Sequence, residues 1–244
     1  MLEGPATALG LLVGGVLGAA TPRGAISAIV ATTGAAAFGL VDDLTQDAAT
    51  QAKGLRGHLG ALARGTLTTG GLKVLGIGAS SLLAAAIATP GRAPDGARSR
   101  RVDRTFDVAT SGALIAATAN LVNLLDLRPG RALTAAGLTA AAMALTGGAG
   151  AGLAAGVVGA ALAAMPADLA ERDMLGDGGA NALGALLGLA VVLETPRPVR
   201  FALLAGAIAL TVASERVSFT EVIARTPVLR ELDALGRREG NRPA

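Results

Sequence analysis

Ala37-Phe38-Gly39-Leu40-Val41-Asp42-Asp43-Leu44 is the stretch on which the reading of this chain turns. It is the end of an apolar run, closed by two adjacent carboxylates. A carboxylate inside a bilayer is costly unless it reaches an interface, a wet cavity or a partner. Taken alone, the pair reads equally as a solvated helix end and as a site that holds a cation or a proton.

The surrounding composition places that run in a membrane. The chain has 244 residues, 52% hydrophobic and only 16% charged, with a mean hydropathy of +0.56. Soluble domains carry about 25% charged residues, so this chain lacks the polar surface of a water-facing globule. Its apolar blocks approach the roughly 20 residues that a helix needs to cross a bilayer. The expected fold is therefore all-α, a polytopic transmembrane helix bundle. The blocks consist of Ala, Gly, Leu and Val, with 35 Gly in the chain, and small residues at spacings of four let helices approach closely. Trp and Tyr are absent from the sequence, so no aromatic belt marks the span ends. The absence of Cys excludes thiolate metal sites and disulfides, and the single histidine, His58, excludes a histidine cage. The formal charge of +3 comes mostly from arginines in loops and the tail. That distribution sets topology rather than binding nucleic acid. The first apolar run has no basic flank of the kind that precedes a cleaved signal.

Eight apolar spans are expected, at 5–20, 25–41, 67–89, 107–126, 132–147, 149–166, 178–194 and 198–214. Two regions follow: a bundle over 1–214 that carries the site, and a tail over 215–244. Alternation puts 42–66, 127–131, 167–177 and the tail on one face, with twelve Lys and Arg against eight on the other. The positive-inside tendency makes the first face cytoplasmic. In the tail, Val217, Val222, Ile223, Leu229, Leu232 and Leu235 recur at near-helical spacing among charges, interrupted by Pro227. That pattern predicts an amphipathic segment on the membrane surface or against the bundle.

Three polar groups fall on the first face. Asp42-Asp43 is followed by Asp47 and by Lys53-Gly54-Leu55-Arg56-Gly57-His58, whose cations suit a phosphate. Asn120, Asn123 and Asp126 recur every three residues and so share one side of a helix. They read either as ligand-facing groups or as hydrogen bonds between helices. Met174-Leu175-Gly176-Asp177-Gly178-Gly179-Ala180-Asn181 opens a span. There Asp177 can cap the helix, and the glycines leave first-turn amides open to an anion.

The order of these motifs resembles the polyprenyl-phosphate N-acetylhexosamine-1-phosphate transferases, glycosyltransferase family 4. The likeness runs over nearly the whole chain and includes Glu215-Arg216-Val217-Ser218-Phe219. It implies that a polyprenyl phosphate (undecaprenyl or decaprenyl) attacks the β-phosphorus of a UDP-amino sugar, releasing UMP with Mg²⁺ or Mn²⁺. Carried over, Asp42, Asp43 and Asp177 are the catalytic residues, and Asp177, Asp43 and Asn123 hold the metal. Lys53, Asn120, Asn123, Asp126, Arg128 and Arg131 bind substrate. The resemblance also implies a multi-pass protein of the plasma (inner) membrane, among membrane lipid, with its site facing the cytoplasm and acting in envelope glycan synthesis, and it is compatible with a homodimer. Typical members carry a further span before the first one here, so this chain is expected to begin inside the loop that follows it.

The chain departs from the family pattern at named places. Pro129 stands where a second Asp is usual, within Arg128-Pro129-Gly130-Arg131, and Met174 stands where an aromatic is common. The histidine-rich loop after the penultimate span is replaced by Ala224-Arg225-Thr226-Pro227. Two other readings stay open: a non-catalytic scaffold or lipid-phosphate binder, and a transporter coupled to intramembrane carboxylates. The second needs acids near mid-span, whereas these stand at span ends.

Overall fold

The computed structural model describes residues 2–45, 65, 68–89 and 101–235. Among them every regular element is a helix. Eight helices occupy the eight expected segments: α1 (Glu3–Gly18), α2 (Pro22–Thr45), α3 (Thr69–Ala88), α4 (Arg101–Leu125), α5 (Arg131–Ala144), α6 (Ala151–Asp168), α7 (Gly176–Glu194) and α8 (Arg197–Ser214). Two short helices, α9 (Phe219–Arg225) and α10 (Pro227–Asp233), form the tail.

Six of these, α2, α3, α4, α6, α7 and α8, are long and apolar enough to cross a membrane. The chain is a membrane-embedded, multi-pass helical protein. The other two of the eight expected segments, α1 and α5, form shorter helices of 16 and 14 residues. At 1.5 Å per residue they reach about 24 and 21 Å, short of a hydrocarbon core of about 30 Å. Leu17, Leu83, Leu162 and Ile208 point outward on the bundle surface, as lipid-facing side chains do and as water-facing ones rarely would in such number.

Helix α7 is the hub. It packs against α1, α2, α4 and α6, and most of its length is buried. Between Asn181 and Glu194 its side chains are Gly, Ala, Leu and Val alone, so neighbouring backbones come close at the small residues. Gly184 and Gly188 face Ala119 and Ile115 of α4, where an added Cβ would lie 2.6 and 2.9 Å from their Cα atoms. A second small-residue seam joins α1 to α6: Gly14 meets Gly156 and Gly18 meets Gly152, backbone against backbone. Without a hydrophobic drive between helices in lipid, such close packing supplies the attraction. Helix α8 lies chiefly against α4 and buries only Ala207.

The helix ends are set by local chemistry. The Thr68 hydroxyl accepts the Gly71 amide and starts α3, and the Thr21 hydroxyl accepts the Gly24 amide in α2. Gly130 and Gly147, with φ of +75° and +69°, make the turns before α5 and α6, and Gly176, with φ of +60°, opens α7. The helices alternate in direction. One end therefore gathers the start of α1, the end of α2, the start of α3, the end of α4, the end of α6 and the start of α7.

Candidate functional site

Glycines bring that end together. An added Cβ at Gly39 would lie 2.3 Å from the Asp177 carbonyl oxygen, and one at Gly4 would lie 2.3 Å from that of Leu175. Helices α1 and α2 thus lean directly on the first turn of α7. Asp42 and Asp43 follow Gly39 by three and four residues, which places them one turn on, beside the same turn of α7.

Asp42-Asp43 does not close its helix, as the sequence predicts, but lies within the last turn of α2. Partners from other helices make that tolerable. Asp43 accepts the backbone amides of Asp177 at 2.9 Å and Gly178 at 3.0 Å, one on each carboxylate oxygen. The open amides expected at the start of α7 are therefore taken by an anion from the chain itself. Asp43 acts as an N-cap supplied in space rather than in sequence, with its charge at the positive end of the helix.

Asp42 is buried and pairs with Lys73 of α3 at 2.8 Å, and the same ammonium lies 2.5 Å from Asp177. Asp177 and Thr69 also lie beside the Asp42 carboxyl. One ammonium thus stands between two carboxylates from different helices. Lys73 is missing from the residues picked out in the sequence, although it is the only Lys or Arg well inside an expected span. A lone cation at that depth marks a carboxylate partner.

Asp126 lies in the turn after α4, half-buried, with no hydrogen bond or ion pair from its carboxyl among the described residues. Its carboxyl is pushed up to about 8, first by burial and then by the negative charge of Asp168, Asp177, Glu3 and Asp43. Asp126 thus stands at the same end of the bundle as the turn where Asp43 meets the start of α7. Asp168 is buried and accepts the Gly130 amide at 2.5 Å, which fixes the turn into α5.

The other expected site residues divide. Asn123 is half-buried one turn before Asp126, and Arg128 is half-buried just after it. Asn120 donates to the Thr211 hydroxyl of α8 at 3.3 Å, so its side chain acts between helices. Arg131 is buried and forks onto Asp233 of α10 at 2.6 and 3.2 Å, with Thr220 as a further partner. Its guanidinium holds the tail against the bundle. Between tail and bundle lies an apolar cavity of about 520 Å³, walled by Leu125, Leu138, Leu210, Val217 and Ile223. Asn181 is buried and donates to the Asp177 carbonyl at 2.7 Å, which fixes the first turn of α7. Lys53 and His58 lie outside the described residues.

The donors at this end are all hard oxygens, the kind that Mg²⁺ prefers, and their charge is under-compensated around Asp126. Among the described residues no three carboxylate or imidazole groups stand close enough to share one metal directly. No family model, curated protein or solved structure matches this chain.

Proposed function

We propose that the chain is a Mg²⁺-dependent transferase that moves an amino-sugar-1-phosphate from a UDP-sugar to a polyprenyl phosphate, releasing UMP. The observation that carries this reading is the meeting of Asp42, Asp43, Asp126 and Asp177 with Lys73 at one end of the bundle. In the reaction a lipid phosphate oxygen bonds to the β-phosphorus of the UDP-sugar. The bond from that phosphorus to the bridging oxygen breaks, and UMP leaves with the electron pair. Phosphoryl transfer depends chiefly on alignment and on neutralising charge. Mg²⁺, when bound, supplies that neutralisation at the diphosphate, with Asp177, Asp43 and Asn123 as the residues that would hold it.

The chain's own residues do the rest. Lys73 stands against both Asp42 and Asp177 and offers its ammonium to a phosphate that enters beside them. Asp43 holds the first turn of α7 in place, so the position of Asp177 depends on it. Asp126, raised toward neutrality, can donate a hydrogen bond to a phosphate or sugar oxygen. Arg128 and Lys53 supply positive charge for the nucleotide. In this reading the site faces the cytoplasm from the plasma membrane.

A second reading, a non-catalytic protein that binds a lipid phosphate, is favoured by one feature: Asp42 and Asp177 both find their counter-ion, Lys73, within the chain itself. The two separate in one experiment. Membranes containing the protein are given UDP-GlcNAc, Mg²⁺ and radiolabelled UMP, and exchange of label into the nucleotide sugar is followed. The transferase reading expects exchange that Asp177→Asn abolishes. Binding of lipid phosphate without exchange supports the second reading.

A further inference from the structure

At the end of the bundle away from the candidate site, α8 begins beside α4 with a cation that the chain leaves under-satisfied. Arg197 and Arg200 stand in the first turn of α8, and both reach toward Asp107 of α4. Arg197 takes the whole carboxylate: its Nε and Nη2 donate to the two oxygens at 2.7 and 2.6 Å. Arg200 is left with Nη2 at 3.8 Å from the same group, beyond hydrogen-bonding distance. Among the described residues its one hydrogen bond runs from Nη1 to the Ser111 hydroxyl at 2.8 Å, for a side chain with five N–H donors. The Arg200 Nε is buried and has no acceptor.

The charge around this group is unbalanced. Over the first two turns of α4 and the first turn of α8, Arg101, Arg104, Arg197 and Arg200 meet only Asp103 and Asp107. Arg104 donates to the Ala86 carbonyl at the end of α3 and likewise keeps a buried Nε without a partner. Glu194, at the same end, is occupied by the Thr146 hydroxyl and the Gly150 amide. The missing acceptor is therefore an anion from outside the chain.

Depth and surface say which anion. Arg200 lies three residues into α8, about 4.5 Å from its start, where headgroups flank the hydrocarbon core. Phe106 and Phe201, the sequence neighbours of Asp107 and Arg200, stack with ring centroids 5.1 Å apart and stay 50% and 36% exposed. They are two of only four aromatic residues in the chain. Past them the α8 surface is apolar and buries only Ala207. A cation at headgroup depth above an open apolar face matches a lipid with a charged head.

We propose that Arg200, with Ser111 and the Phe106–Phe201 pair, binds an anionic phospholipid of the surrounding bilayer. Its phosphate supplies the acceptor that the guanidinium lacks, and an acyl chain lies along α8 past Phe201. Arg–phosphate pairs are charge-assisted and geometrically specific, and basic pockets between membrane helices recognise anionic headgroups. The inference stands without the transferase reading, because it concerns the opposite end of the bundle.

The test uses the full-length protein in neutral detergent, titrated with phosphatidylglycerol or phosphatidylcholine, with bound lipid counted by native mass spectrometry. Wild type is expected to prefer phosphatidylglycerol. Arg200→Gln is expected to weaken that binding about tenfold, while Arg23→Gln, at an exposed arginine of the same end, leaves it unchanged. Asp107→Asn removes the competing anion and is expected to tighten binding; it decides the matter if Arg200→Gln fails to fold. Equal affinity for the two lipids overturns the proposal, as does wild-type binding by Arg200→Gln or unchanged binding by Asp107→Asn. Displacement of phosphatidylglycerol by an equal concentration of inorganic phosphate would show a free-anion site and overturn the lipid assignment.

Discussion

The Lys73 ammonium lies 2.8 Å from Asp42 and 2.5 Å from Asp177, so one residue of α3 fastens α2 to α7. The three side chains are 17%, 7% and 18% exposed. Breaking such a pair leaves buried charge without compensation. Lys73→Met is expected to destabilise the protein by about 3 kcal/mol. Adding Asp42→Asn to that variant should recover part of the loss. Thermal unfolding of the two variants in detergent checks both statements, and a Lys73→Met protein as stable as wild type would refute the coupling.

Gly39 is expected to tolerate no side chain. Gly39→Ala pushes α2 from the first turn of α7, at a cost of about 1–3 kcal/mol for overpacking. It also pulls Asp43 from its two amides. Gly206→Ala on α8 is the control, since an added Cβ there meets nothing within 4 Å. Melting temperatures of the two variants should differ clearly, with only Gly39→Ala lowered.

The pH dependence follows from Asp126. Its folded carboxyl titrates at about 8, against about 3.9 in an unfolded chain. Between those values the folded state binds more protons than the unfolded one. This residue's contribution is therefore most favourable below about pH 4 and is lost as pH rises through about 8. Asp126→Asn removes that loss. The variant should gain stability relative to wild type as pH is raised from 5 to 8.5, and parallel curves would contradict the assignment.

Arg131 and Asp233 hold the tail. Their side chains are 4% and 11% exposed, so Asp233→Asn leaves a buried guanidinium under-compensated. Faster tryptic cleavage at Arg216 and Arg225 is the expected result, with the bundle left intact. Equal cleavage rates would show that the apolar contacts of Val217 and Ile223 hold the tail unaided.

Much of this architecture was legible in the chain. Apolar blocks and glycines placed all eight helices, seven of them to within four residues and the start of α4 to within six, because hydropathy and turn chemistry are local. The shortness of α1 and α5 was harder to see, since Gly147 and Ala19 look as apolar as the residues inside the helices. The acidic motifs announced themselves as carboxylates at span ends. Their partners did not. Lys73 lies thirty residues after Asp43, and only the crossing of α2, α3 and α7 makes it the counter-ion. Arg131 looked like a phosphate ligand because Asp233 is about a hundred residues away.

The central claim is catalysis at the end of the bundle where Asp177 and Lys73 meet. Its most direct measurement is UMP release by the purified protein in liposomes that contain undecaprenyl phosphate, with UDP-GlcNAc and Mg²⁺ supplied outside and inside. The account predicts lipid-linked diphospho-sugar and UMP in equal amounts, lost in Asp177→Asn while the variant still folds. Equal turnover by Asp177→Asn and wild type, or no turnover with any UDP-amino sugar, would contradict it.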